Sequence, residues 1–432
     1  MRERKSMGIL DTGATSWMLI SAALVFLMTP ALAFFYGGMC RQKTTLNMMM
    51  MSVVAMGIVG VIYPLYGYVM SYGSGDVLGV FAWSFKELNL ENIVFDSSGN
   101  FLLDDNGVPV IVGVAFQSTF AILTVALISG SLAARTKFSA WLFFIPFWVT
   151  LVYFPLAHMV WGGGLLSESD FSISALLFGS DGSQASVAPI DFAGGTVVHM
   201  NAGIAGLVLV FFVGKRHGFG KREYVPHSLP FVFLGAAGLW FGWFGFNAGS
   251  SLTADGLAGW AWVNTSTAAS AGILGWILTD KMRGKSMSVL GSASGMVSGL
   301  VAITPGCGAV NVVGAIVIGG VAGSLCSLAI SMKNYFGYDD SLDVVGVHLT
   351  GGFIGTVLIG FFATDGGLFY GGNYQLLVVQ IVVTVCAMLY SGLGTFIVAM
   401  IIKVLIGWRV SDEEEHTGID VIAHGENAYV HI

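Results

Sequence analysis

The apolar positions of this chain fall in long, nearly unbroken runs, not in the two-residue alternation of a half-buried strand or the narrow stripe of a surface helix. A bilayer core of about 30 Å takes about 20 apolar residues per helix. Eleven runs approach or exceed that length: residues 14–36, 46–70, 111–133, 138–159, 194–213, 229–248, 257–279, 288–304, 310–331, 344–363 and 374–406. The expected fold is an all-α membrane protein with eleven transmembrane helices.

Two stretches look alike. DFAGGTVVHMNAGIAG (191–206) opens the fifth run and DVVGVHLTGGFIG (343–355) opens the tenth. Each has an aspartate, then a histidine, then glycines four and seven residues further on. These are Asp191, His199, Gly203 and Gly206, and Asp343, His348, Gly352 and Gly355. Five spans separate the copies. An odd number per half inverts the second half, giving an inverted five-plus-five helix repeat about an axis in the membrane plane. The expected division is a transmembrane domain over 1–406 and a cytoplasmic tail over 407–432. The domain holds repeat halves at about 14–213 and 229–363 and an extra helix at 374–406.

Composition agrees with this pattern and narrows the chemistry. Only 10% of the 432 residues are charged, against about 25% in an ordinary soluble domain. Sixty glycines suit close approach between membrane helices. A net charge of −7 with no basic stripe argues against a nucleic-acid partner. Cys40, Cys307, Cys326 and Cys386 are scattered without metal spacing, so neither a disulfide framework nor a metal site is expected. No glycine-rich phosphate loop opens a helix, which argues against a nucleotide-driven pump. The start, MRERKSMGILDTGATSW, lacks the apolar core and cleavage site of a signal peptide. The first run is therefore expected to be a retained span.

Basic residues set an orientation. Fourteen of the eighteen Lys and Arg fall on the side of the loop after the first span, from Arg41 and Lys43 to Lys403 and Arg409. That places the N-terminus outside and the C-terminus in the cytoplasm, against the local pull of Arg2, Arg4 and Lys5. The outer loops are acidic, with Asp76, Glu87, Glu91, Asp96, Asp104 and Asp105 in one, and Glu168, Asp170 and Asp181 in the other. They read as ordinary solvated loops or as a negative surface that gathers cations.

Of eight histidines, only His199 and His348 fall inside the runs away from an outer end, at matching repeat positions. His158 is expected at the outer end of the fourth span. His217 and His227 fall in an inner loop, and His416, His424 and His431 in the tail. The span interiors contain no Asp, Glu, Lys or Arg; Lys403 lies at an end. A lone imidazole in a membrane helix usually serves as a hydrogen bond between helices. A matched pair in an uncharged bundle points instead to a pathway. Two neighbouring imidazoles would share one proton, because two like charges in a dry site are costly. Such a pair offers hydrogen bonds to a small polar molecule and repels a bare cation. Asp191 and Asp343 read first as helix N-caps.

The chain resembles the ammonium transporter family (Amt/Mep/Rh), and within it the bacterial AmtB-like branch. The resemblance rests on FFYGG (34–38), AFQSTF (115–120), RTKFSAW (135–141), AHMVWGGGLL (157–166), DFAGGTVVH (191–199), GWFGFNAGS (242–250), LVAITPGCG (300–308), DVVGVH (343–348) and GIDVIAHGENAY (418–429). It covers nearly the whole chain. It implies a homotrimer in the cell membrane with one pore per subunit, taking up ammonium, with methylammonium as an analogue. No cofactor and no enzyme activity are implied.

Carried over residue by residue, Trp161 resembles the outer aromatic that faces the incoming cation; on its own it reads as an interfacial belt residue. Ser250 matches the hydroxyl that accepts a hydrogen bond from ammonium; alone it reads as a helix cap. Phe120 and Phe246 match the stacked pair that closes the pore below this site, with Phe120 also bordering the cation. His199 and His348 match the paired pore histidines, and Asp191 an acid near the site with a mainly structural role. Ser118 departs from the family, which commonly has glycine there. The resemblance also implies that a PII signalling protein can dock at the inner face, where the family's tail packs; on its own the charged tail reads as solvated. An ammonium sensor on the same fold is the alternative reading. An intramembrane enzyme lacks a nucleophile–base–orienter set.

Overall fold

The computed structural model describes residues 9–221 and 224–429. Eleven long helices make up the bundle: α1 (Thr12–Met39), α2 (Gln42–Tyr72), α3 (Val110–Leu132), α4 (Phe138–Trp161), α5 (Gly195–Val213), α6 (Leu229–Ser251), α7 (Gly256–Met282), α8 (Val289–Ile303), α9 (Val312–Phe336), α10 (Val345–Phe362) and α11 (Gln375–Leu405). Among the described residues, nine are long and apolar enough to cross a membrane. The other two explain themselves: α8 has only 15 residues, and α7 is diluted by Asn, Thr and Ser. The chain is a multi-pass membrane protein.

Local sequence sets the helix boundaries. Asp11, Ser228, Asp255, Ser288 and Asn311 each cap the helix that follows by accepting a first-turn N–H, worth about 1 kcal/mol apiece. Gly337, at φ 70°, ends α9 in the left-handed conformation that glycine adopts without strain.

Small residues then let the helices close. A Cβ on Gly323 of α9 would stand 2.1 Å from the Gly272 carbonyl of α7. The crossing of α5 and α10 is reciprocal. Gly203 lies against Leu349, and Gly352 lies against Met200. In both contacts the residue four after a histidine meets the residue one after the other histidine. Such an exchange is what a local two-fold axis produces, and it supports the inverted repeat inferred from the sequence.

Some helices, α7 and α9 among them, overrun their apolar runs by three to five residues, so some charge does enter them. Asp280 is buried in the last turn of α7, accepting from Trp276 Nε1 at 3.0 Å and Ser327 Oγ at 2.9 Å. Lys281 follows it, and Lys333 lies on α9. His158 lies in the last turn of α4, at its outer end as expected, and is buried there. Its Nε2 pairs with Asp76 Oδ1 at 2.8 Å. Asp76 belongs to a small hairpin in which residues 76–77 pair with 81–82.

At the end of the bundle away from this hairpin, the tail folds onto the helices. Ser411 and Glu414 form a capping box on the short helix Asp412–Thr417. Asp420 accepts from the N–H groups of Leu46 and Asn47, and His424 bonds Asn47. Several of the basic residues counted for orientation are internal ties, two of them buried. Arg135 is buried and donates to the carbonyls of Gly214 and Asp339 and to Ser341 Oγ. Burial pulls its guanidinium down to about 10 while Asp339 counters, so it is charged at neutral pH. Arg216 grips Asp339 through two nitrogens, at 2.6 and 2.9 Å. Breaking a buried pair of this kind costs about 3–5 kcal/mol. Arg2, Arg4, Lys5, Arg222 and His431 lie outside the described residues.

A candidate pore lined by aromatic rings and two imidazoles

Trp161 closes α4, facing the segment that leads into α5. Its indole N–H donates to the Asp191 carbonyl at 2.8 Å. The Asp191 carboxylate accepts four backbone N–H groups, from Gly194 at 3.0 Å, Gly195 at 2.6 Å, Thr196 at 3.0 Å and Val197 at 3.2 Å. Gly194, at φ 109°, gives the sharp turn this wrap requires. Burial pushes the carboxyl up to about 6, against the pull of those four donors. The Asp191 carboxylate therefore caps the turn, the reading its sequence position suggested, and its backbone carbonyl holds Trp161.

A column of rings descends from Trp161. Phe120 meets it edge-on, with centroids 6.1 Å apart. Phe120 and Phe246 stack at 4.1 Å and 18°. Phe246 approaches His199 at 5.9 Å, and Trp243 lies nearly parallel to that imidazole at 5.3 Å. His199 and His348 follow, with Nδ1 atoms 3.3 Å apart. Ser250 lies one turn beyond Phe246, its hydroxyl turned back to the Phe246 carbonyl at 2.8 Å. Ser118 bonds its own helix at the Ala115 carbonyl. Below His348 a small cavity is lined by Tyr36, Met39, Ser294, Leu342 and Asp343. Met39 and Leu342 also border a second one, with Arg41, Arg216 and Tyr224. The column thus leads to the end where the tail is seated.

The backbone places these rings by a shared device. His199, Phe246 and His348 each lie in a widened turn closed by i→i+5 hydrogen bonds, at Gly195–Met200, Phe244–Ala248 and Val345–Leu349. Such turns rotate the next side chains off the regular helical stripe and are frequent at functional sites. His199 and His348 are 0% and 3% exposed. Among the described residues, no charged side chain hydrogen-bonds either ring. Their facing Nδ1 atoms need one proton between them, so one imidazole is the Nδ1–H tautomer and the other carries its hydrogen on Nε2. His199 Nε2 has no partner, a buried polar atom free for a passing molecule.

Asp343 is not the counterpart of Asp191. It has φ 63° and pairs with Lys333 at 2.5 Å. The cap on α10 is Asp340, which accepts from Val345 N–H and Ser131 Oγ at 2.8 Å each. Burial raises the Asp340 carboxyl against the pull of Lys333. The signal was present in the chain: Asp191 to His199 and Asp340 to His348 are both eight residues. Trp243 and Phe116, which packs on Phe120 at 4.8 Å, were also passed over among so many aromatic residues. Among the described residues, one group could ligate a metal, His217, Asp412 and Glu415. It lies under the tail, away from the column, and Glu415 is already held by Arg409 at 2.7 Å.

The model of the Ammonium Transporter Family matches residues 16–429. An ammonium transporter of Mycobacterium tuberculosis is 48% identical, over 98% of this chain and 91% of its own length. One from Aquifex aeolicus is 44% identical, over 97% and 94%. Among solved structures, a sensor Amt protein superposes with a TM-score of 0.83 at 25% identity, covering 95% of this chain and 98% of that one. Mep2 of Saccharomyces cerevisiae gives 0.81 at 30% identity, covering 94% and 90%. Family, length and architecture agree, and the chain belongs to the ammonium transporter family, a family of transporters and not of enzymes.

Proposed function

We propose that this protein binds ammonium at Trp161, removes its proton, and conducts ammonia past His199 and His348. The observation that carries this reading is the unbroken ring column, which holds hydrogen-bonding nitrogens and no fixed negative charge. Trp161 presents a π face worth about 0.5–2 kcal/mol to a cation, depending on its desolvation. By family likeness Ser250 would offer its hydroxyl oxygen to the ion, its hydrogen being given to the Phe246 carbonyl. Below, the stacked Phe120 and Phe246 leave no polar replacement for a hydration shell. A whole cation there meets a desolvation cost of several kcal/mol. Deprotonation removes most of it: ammonium gives neutral ammonia and one proton. Ammonia moves on to the imidazole nitrogens. The proton either returns to outer water or crosses along the shared His199–His348 hydrogen bond, and charge moved per substrate distinguishes the two. Potassium has no proton to lose and meets the full barrier.

The basic loops and the seated tail support a cytoplasmic C-terminus in the cell membrane, with Trp161 outside. The homotrimer follows from family likeness. Most of the basic residues near the tail are used internally, Lys43 on the His416 carbonyl, Lys137 on the Ile406 carbonyl and Arg409 on Glu415 besides Arg135 and Arg216, so a PII protein would read the exposed Lys215 together with the acidic tail. A pull-down with the host's PII protein, with nucleotide effectors low and high, is expected to capture it in one state. Capture in neither removes that partner.

Labelled methylammonium uptake into proteoliposomes tests the main reading. The intact protein should accumulate label. Trp161→Leu should raise the half-saturating concentration about fivefold to tenfold, the equivalent of losing roughly 1 kcal/mol of cation–π attraction, with the fold intact. The likeness to a sensor Amt protein favours a second reading, sensing with little flux. Binding of methylammonium without uptake would select it.

A further inference from the structure

Helix α11 stands outside both repeat halves, yet it reaches the entry site through one side chain. Gln380 is 1% exposed. Its Oε1 accepts from Ile190 N–H at 2.8 Å, and its Nε2 donates to the Ile190 carbonyl at 2.8 Å. A longer contact from Nε2 reaches the Thr356 carbonyl of α10 at 3.4 Å. Ile190 offers one donor and one acceptor, so the orientation of the amide is fixed by its partners.

The next residue is Asp191, whose carbonyl takes the Trp161 indole N–H and whose carboxylate caps α5. A shift of the 190–191 backbone therefore moves the Trp161 ring relative to Phe120. The chain of contacts is short: hydrogen bonds from Gln380 to Ile190, the peptide bond from Ile190 to Asp191, and a hydrogen bond from Trp161 to Asp191. Ile190 is otherwise an apolar residue at the end of a long loop, and loops without such ties drift.

We propose that Gln380 is a positioning residue for the ammonium entry site, holding Trp161 in place through the Ile190–Asp191 backbone. This inference rests on the reading of Trp161 as the outer cation site. It also gives the eleventh helix a part in transport beyond filling the bundle's flank.

The test is labelled methylammonium uptake into proteoliposomes, with half-saturation and maximal rate measured separately. The variants are Gln380→Leu, Gln380→Glu, Trp161→Leu and the Gln380→Leu/Trp161→Leu double. Gln380→Leu should raise half-saturation roughly threefold to tenfold, the range of one or two net hydrogen bonds, while the maximal rate stays within about twofold. Gln380→Glu keeps the acceptor for Ile190 N–H and loses the donor, so it should fall between. On the Trp161→Leu background, Gln380→Leu should add nothing to half-saturation. Unchanged half-saturation in Gln380→Leu, or a full multiplicative effect in the double variant, overturns the inference. Should the leucine variant fail to fold, Gln380→Glu carries the same comparison, and no shift there overturns it as well. If Trp161→Leu itself shifts nothing, the outer-site reading fails and takes this inference with it. If Trp161→Leu shifts half-saturation and the Gln380 variants do not, the inference alone falls.

Discussion

Replacing His199 with aspartate, or His348 with glutamate, should yield a protein that passes potassium. The two imidazoles touch at Nδ1, are buried, and hydrogen-bond to no charged group. They serve a neutral guest well and a bare cation badly. A carboxylate at either place attracts a desolvated cation and offsets part of its burial cost. Recovering about 3 kcal/mol of that cost raises potassium passage on the order of a hundredfold. Currents across a supported bilayer, with ammonium and potassium gradients applied in turn, read this directly. Replacing both residues with alanine should instead cut ammonium-driven current, because the hydrogen-bonded path is lost. Acidic variants that fold, conduct ammonium and still exclude potassium as the parent does would reduce the pair to helix packing. Selectivity would then reside at Trp161, Phe120 and Phe246.

The second large effect is expected at Asp191. Its carboxylate satisfies four backbone N–H groups in the first turn of α5, and its carbonyl holds Trp161. Hydrogen bonds to a charged acceptor are worth about 1.5–3 kcal/mol each, and buried donors left without partners add their own desolvation cost. Asp191→Ala should therefore lose about 3–6 kcal/mol of stability and abolish uptake. Asp191→Asn keeps the shape but turns one acceptor into a donor, so it should lie between. Thermal unfolding in detergent, followed by size-exclusion profile, together with uptake, decides it. An alanine variant as stable and as active as the parent would show that the N–H groups find other acceptors and that Trp161 needs no brace.

Much of this was legible in the chain because membrane helices declare themselves by length and hydropathy. All eleven expected runs became helices, with ends displaced by a few residues where the helix outlasted its apolar run. Asp280 and Lys333 entered helices for that reason. The paired histidines stood out because so few titratable groups share their depth. What sequence could not rank was equivalence among acids crowded into DDSLD (339–343). Three carboxylates lie within five residues, and only packing decides which turns to the helix, which to Arg216 and which to Lys333. Gln380 was invisible for a different cause. Its partner is a backbone group 190 positions away, and nothing in a span of apolar residues marks a glutamine as more than a tolerated polar side chain. Trp243 and Phe116 were hidden by abundance, since a protein with 31 phenylalanines and 11 tryptophans offers many rings and few places in the column.

The reciprocal contact of Gly203 with Leu349 and Gly352 with Met200 has a bearing on vectorial flow. The crossing itself maps onto itself when turned end for end, so these two backbones favour neither direction of approach. On the proposed reading, any difference between the two directions is then written away from this crossing, at Trp161 on one side and at the small cavities bordered by Met39 and Leu342 on the other. With both mouths open, the sign of net movement belongs to the gradient and not to the protein.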